Sequence, residues 1–304
     1  MSVGGEHRFA TKCRRLYCFY LSSSAFSIDI RAGNGKNNLT EHNELLAHME
    51  HLEINQQAWN RRTEIHAESS FYNVTGFLNG DSTLNPLEIA QLGDVKGKSL
   101  LHLQCHFGLD SLSLARLGAC VTGVDLSSAA IDKANELALT TNLNATFICS
   151  DVLQLRQIDS QQYDMVFSSY GVLCWLPELT SWAKVIADSL HSGGQFHLIE
   201  FHPFHDVMAG YPYFNTHLPC HESESTYTEN SGDEEQNIVT WAHSISEVIT
   251  ALLDAGLVIS QFNEHDYSPY DCFDGLQETS PGKFQLIQNN EPVPMLYSLV
   301  ATKP

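Results

Sequence analysis

Ser99-Leu-Leu-His-Leu-Gln-Cys-His-Phe-Gly-Leu-Asp-Ser-Leu-Ser-Leu-Ala-Arg-Leu117 changes its hydrophobic period part-way along. Residues 99–103 form a short apolar run of strand length, while the leucines at 109, 112, 114 and 117 recur at helical spacing. Between them, Gln104 to Gly108 reads as a turn. The alternation then repeats. Cys120-Val-Thr-Gly-Val-Asp125 reads as a strand ending in an acid, and Ser127 can cap a helix with apolar positions Ala130, Ile131, Ala134, Leu137 and Ala138. Ala145–Cys149, Tyr163–Ser168 and Gln195–Glu200 read as three further strands, with a helix over 178–190 and a turn at His191–Gly194 before the last of them.

Strands separated by helices imply a parallel sheet covered on both faces, the doubly wound α/β class. Ligands of such sheets bind beyond the carboxyl ends of the strands, so functional residues are expected just after 103, at 125, at 151, after 168 and after 200. A helix over Trp241–Leu253, closed by Gly256, and a strand over Leu257–Glu264 follow. Pro294–Thr302 then returns as a strand with no intervening helix, most simply antiparallel to its predecessor.

The five motifs in order resemble the class I S-adenosylmethionine-dependent methyltransferases over about residues 55–304. That family carries an acid and a glycine-rich turn after its first strand. Here the acid falls on His102 and the glycines on Gln104, His106 and Gly108, of which only Gly108 is kept. The acid ending the second strand matches Asp125, followed by Leu126. The pair beside the adenine matches Asp151-Val152, and the aromatic-Asp-x-Val strand matches Tyr163–Val166, running on to Ser169 and Tyr170. The Gly-Gly turn before the fifth strand matches Leu190–Gly194. Trp59-Asn-Arg-Arg62, the substituted turn and Glu200-Phe-His-Pro203 further resemble a little-characterised subgroup.

The resemblance implies a seven-stranded, mostly parallel, Rossmann-like sheet with an antiparallel C-terminal strand, and S-adenosyl-L-methionine as cofactor. It implies cofactor contacts from Gln104, His106, Gly108, Asp125, Leu126, Asp151, Val152, Ser169 and Tyr170, with Asp125 holding the ribose hydroxyls. His202, after the fifth strand, is the candidate general base. His102 reads as a satisfied core histidine, and Trp59, Arg62 and Tyr72 as candidate lid residues. Residues 201–240 read as an insertion serving as a substrate lid. Their histidines and Cys220 lack a fixed ligand spacing, so no metal is expected. The expected activity is methyl transfer to a small-molecule acceptor. A nicotinamide-dependent oxidoreductase would need G-x-G-x-x-G where Gln104, His106 and Leu109 stand. A non-catalytic nucleoside-binding protein is the other alternative.

Charge narrows the partners. With 16 Lys+Arg against 36 Asp+Glu the net charge is −20, which argues against a nucleic-acid binder or a polybasic membrane-surface protein. Residues 1–48 carry +2 and the remainder −22, marking a boundary near Met49. The first 48 residues place Arg8, Lys12, Arg14 and Arg15 before a short apolar run, the layout of a weak targeting segment. Serines interrupt that run, and residues 31–40 read as linker, favouring an extension outside a 49–304 methyltransferase domain. No run of about 18 apolar residues is present. The eight cysteines include no CxxC pair; buried free thiols in a cytoplasmic protein are expected.

Overall fold

In the computed structural model, residues 35–304 are described, with side chains from residue 46. Most of the 1–48 extension therefore lies outside the described residues. Leu45–Pro304 form a compact unit that carries the sheet. Helix α1 spans Gly35–Ala67 and so begins within the stretch read as linker. Short helices α2 (Val74–Leu78) and α3 (Pro86–Leu92) lead into the sheet.

The sheet strands are β1 (Ser99–Leu103), β2 (Cys120–Asp125), β3 (Ala145–Cys149), β4 (Tyr163–Ser169), β5 (Leu190–Phe201), β6 (Val258–His265) and β7 (Leu296–Thr302). Their spatial order is β3-β2-β1-β4-β5-β7-β6. The first five are mutually parallel, and β7 runs antiparallel to both β5 and β6. This is the expected seven-stranded arrangement. The order reverses at β1, so the β1 and β4 ends form the crevice where open α/β sheets take ligands.

Consecutive strand residues serve opposite cores. Leu101, Leu103, Val166 and Leu198 pack with Trp182, Ile186, Val248 and Leu252 of α6 (Thr180–Ser189) and α8 (Ile245–Asp254). Leu100, Met165, Phe167 and Ile199 pack on the other face with Leu92 and Leu114 of α3 and α4 (Leu109–Arg116). A strand buried on both faces must be apolar throughout, which is why these runs show no polar alternation. Helix α5 (Ser128–Thr141) adds Ala130, Leu137 and Ala138 beside Phe107 and Leu112. The Ser127 hydroxyl accepts from Ala130 N–H at 3.0 Å, the expected cap.

Three details differ from the sequence reading. Helix α8 begins at Ile245 rather than Trp241, because Ser244 caps it by accepting from Glu247 N–H at 3.2 Å. The His191–Gly194 turn is absorbed into β5 as an irregularity, pairing jumping from Tyr163↔Leu190 to Met165↔Gln195. Of the cysteines, Cys105 is buried as expected, but Cys120 and Cys149 are exposed. The 201–240 stretch holds α7 (Phe204–Ala209) and a hairpin of Cys220–Glu224 with Gln236–Thr240. Among the described residues no helix is long and apolar enough to cross a membrane.

Candidate active site

A cavity of about 440 Å³ lies at the carboxyl ends of β1, β2 and β4, within the range of roughly 300–1,000 Å³ common for small-molecule sites. All nine residues assigned to the cofactor, from Gln104 to Tyr170, line it, together with Trp59, Tyr72 and His102.

The turn after β1 keeps the backbone of a glycine-rich loop without its glycines. Gln104 and His106 have φ of 53° and 51°, and Gly108 has 76°. Left-handed conformations cost non-glycine residues about 1–2 kcal/mol each, and each of these two side chains makes an offsetting bond. Gln104 Nε2 donates to Val172 O at 2.8 Å, tying the turn to the loop after β4. His106 Nε2 lies 2.9 Å from His66 Nδ1 of α1, and His66 Nε2 lies 2.6 Å from Thr226 Oγ1 in the insertion. Burial holds both imidazoles neutral, His66 falling to about 3. Gly108 is retained for a separate reason: a Cβ there would stand 2.7 Å from the Phe147 ring of β3.

Asp125 ends β2 with both oxygens engaged. Oδ2 accepts from His106 N–H at 2.8 Å and Oδ1 from Ser127 N–H at 2.9 Å. Burial raises its carboxyl to about 6 against the pull of these backbone donors. Asp151 follows β3; its Oδ1 accepts from Leu153 N–H at 2.9 Å. Its Oδ2 is buried without a hydrogen-bond partner among the described residues, the His48 Nε2 being 3.8 Å away.

The cavity wall formed by α1 is strapped to the insertion. The buried Arg62 guanidinium sits 5.4 Å from the Trp59 ring and 5.5 Å from that of Trp175, and donates to Glu224 Oε1 at 2.9 Å. The Tyr72 and Tyr227 hydroxyls lie 2.5 Å apart, and Asn230 Nδ2 donates to Ile65 O at 2.8 Å. Arg62 is thus a brace behind the wall, while Trp59 and Tyr72 reach the cavity.

His202 is not brought to the cavity. Its backbone N–H donates to Met295 O at 2.9 Å, its Nδ1 accepts from Phe204 N–H at 3.1 Å, and its Nε2 lies 3.0 Å from Glu264 Oε1. With Nδ1 accepting, the ring proton sits on Nε2 and points at Glu264, leaving no lone pair for a substrate. His102 is the satisfied core histidine expected, its Nδ1 2.8 Å from Ser111 Oγ and burial lowering it to about 3.

Two organising residues escaped the sequence reading as site elements. The buried Glu200 carboxylate accepts from the N–H groups of Gly171, Val172 and Leu173, holding the loop after β4. Asp110, in the first turn of α4, lines the cavity and accepts from Thr83 Oγ1 at 2.5 Å. Among the described residues no group of three or more His, Cys, Asp or Glu is placed to hold a metal ion.

Residues 100–194 match a family described as a methyltransferase domain. Over those residues the chain is similar to a methyltransferase domain. A methyltransferase described as S-adenosylmethionine dependent, from Mesorhizobium loti, superposes with a TM-score of 0.51 at 20% identity, covering 74% of this chain and all of that one. One from Clostridium acetobutylicum gives 0.50 at 12% identity, covering 79% and 94%. Both likenesses show the fold. The ubiquinone biosynthesis O-methyltransferase of Coxiella burnetii is 33% identical over 128 residues, 41% of this chain and 54% of that protein. That of Shewanella pealeana is 33% identical over 115 residues, 36% and 48%. The chain thus spans about half the length of these curated relatives.

Proposed function

We propose that the protein transfers the sulfonium methyl of S-adenosylmethionine to a small-molecule acceptor, leaving S-adenosylhomocysteine. The observation carrying this reading is Asp125, a half-buried strand-end carboxylate in the cavity wall, fixed by two backbone N–H groups and facing the space beside the substituted turn. Each of its oxygens has a further lone pair for one of two adjacent ribose hydroxyls. Asp151 Oδ2, which accepts no hydrogen bond among the described residues, would accept from the adenine amino group, with Leu126 and Val152 flanking the base. Gln104, His106 and Gly108 would lie under the amino-acid end, and Ser169 and Tyr170 beside the reacting centre.

The cofactor, when bound, supplies an activated methyl group. The chain's own residues then align the acceptor and exclude water, and a direct displacement draws much of its rate from that alignment. His202 has no part in it. Residues 49–304 form the catalytic domain in this reading, with α1 and the 201–240 insertion closing over the cavity as a lid. The exposed thiols of Cys120 and Cys149 are in keeping with a reducing, cytoplasmic setting, and the acidic surface with the absence of nucleic-acid partners.

The test is mass spectrometry of nucleosides released from purified protein, followed by turnover on candidate acceptors. Release of either S-adenosyl nucleoside by the wild type, and its loss in Asp125→Asn, is expected. A wild type that retains neither and binds neither on addition overturns the reading. Binding with no turnover on any acceptor makes it a nucleoside-binding protein.

A further inference from the structure

The cavity also has an aromatic wall, built largely from segments other than the strand ends that carry the cofactor proposal. Phe71 and Tyr72 come from the stretch after α1, Tyr170 from the loop after β4, Tyr227 from the insertion and Tyr270 from the segment after β6. Their rings are contiguous. Phe71 lies 5.4 Å from Tyr270 and 5.5 Å from Tyr227, and Tyr170 meets Tyr270 at 5.1 Å and 89°, making a corner of perpendicular faces. Four chain segments therefore converge to present aromatic surface to one space.

Asp110 lies in this wall. Only its Oδ1 has a hydrogen-bond partner among the described residues, Thr83 Oγ1. Burial, with the nearby Glu88 carboxyl of α3 adding to it, pushes the Asp110 carboxyl up to about 7. Among the described residues no Lys or Arg lines the cavity, whereas Asp81, Asp110, Asp125 and Asp151 do. Arg62 is committed to Trp59, Trp175 and Glu224. A carboxylate in a cavity wall without a cationic side chain is costly until a cation arrives. Aromatic faces attract the same kind of charge. A carboxylate or phosphate on an acceptor at this wall would face the Asp110 carboxyl with no cationic side chain beside it among the described residues.

We propose that this wall is the acceptor subsite and that the acceptor is a small organic amine, held as its ammonium form against the aromatic corner with an N–H directed at Asp110. The proposal rests on the methyltransferase reading above and adds the acceptor class to it. The chemistry balances without another reactant. The ammonium gives one proton to Asp110, exposing the nitrogen lone pair. That pair forms the N–C bond to the transferred methyl while the S–C electron pair stays on sulfur. The products are an N-methylated ammonium and a neutral thioether. The proton leaves Asp110 for solvent as the methylated amine departs.

The experiment uses the full chain, saturated with S-adenosylhomocysteine, and a matched series: phenethylamine, 2-phenylethanol and phenylacetate, with aliphatic amines, alcohols and carboxylates of similar size. Affinities are read by calorimetry. Amines are expected to bind at least tenfold more tightly than the alcohols, with no carboxylate binding. Asp110→Asn is expected to remove that preference while its affinity for S-adenosylhomocysteine, which also reports correct folding, is kept. Alcohols or acids binding as well as amines in the wild type overturns the proposal, as does a series in which no amine binds. So does an Asp110→Asn variant that loses nucleoside and amine affinity together, which would give Asp110 to the amino-acid end of the cofactor. Failure of the wild type to bind S-adenosylhomocysteine at all overturns the methyltransferase reading instead.

Discussion

At the scale of single residues, glycine positions are filled by other residues without loss of the turn they serve. Gln104 and His106 hold positive φ because each side chain gains a specific partner, whereas Gly108 is held by packing against Phe147. Gly108→Ala is therefore expected to cost about 2–4 kcal/mol through backbone strain and overpacking, measured by urea unfolding. A loss below 0.5 kcal/mol would mean the turn relaxes easily. His202→Ala is expected to leave turnover within about twofold, since His202 lies outside the cavity with both ring nitrogens engaged elsewhere. Its stability should fall by about 1–2 kcal/mol as the buried Phe204 N–H loses its acceptor. A large loss of turnover at unchanged stability would return His202 to the reaction. Asp125 and Asp151 were legible because strand ends can be read from hydrophobic period. Asp110 and His66 were not, since their meaning depends on Thr83 and Thr226, far away in the chain. His202 was misplaced because pairing of β5 with β7 continues to Phe201, handing the next residue to Met295 and Glu264.

At the scale of elements, α1, the substituted turn and the insertion are linked through the His106–His66–Thr226 chain. Neutral His106, Thr226, the rings of Trp59, Tyr72 and Tyr227 and the Arg62 guanidinium face His66, and the Arg62 charge adds to burial in lowering it. A histidine whose folded pKa is depressed is neutral when native but protonated in the unfolded chain below about 6.5. Its contribution to stability is complete above that value and shrinks as pH falls. The stability advantage of the wild type over His66→Gln is thus expected to drop by about 1–2 kcal/mol between pH 7 and pH 5. Urea titrations of both proteins at the two pH values check it; a difference independent of pH would mean that His66 is solvated. The element types of the sheet were readable because both-face burial demands unbroken apolar runs. The start of α8 was not, because the Ser244 cap outweighs the apolar Trp241, whose N–H instead bonds Cys174 O at 2.8 Å.

For the whole molecule, the fold places the acids of four separate segments around one cavity that, among the described residues, no Lys or Arg lines. The −20 total charge could be read from composition, but not its concentration at this one place, which needs the topology. The charge step near Met49 also falls inside a continuous helix, α1, so composition marks no break in secondary structure there. The central claim is that Asp125 anchors the nucleoside of S-adenosylmethionine. Its carboxyl, raised to about 6 by burial, is increasingly protonated below that pH. Only the ionised form accepts from both ribose hydroxyls. The decisive measurement is calorimetric titration with S-adenosylhomocysteine between pH 5 and 8. The account predicts one site, affinity rising with pH to a plateau above about 7, and a loss of about 1–3 kcal/mol in Asp125→Asn with the pH step gone. Equal affinity of the two proteins across that range would contradict it.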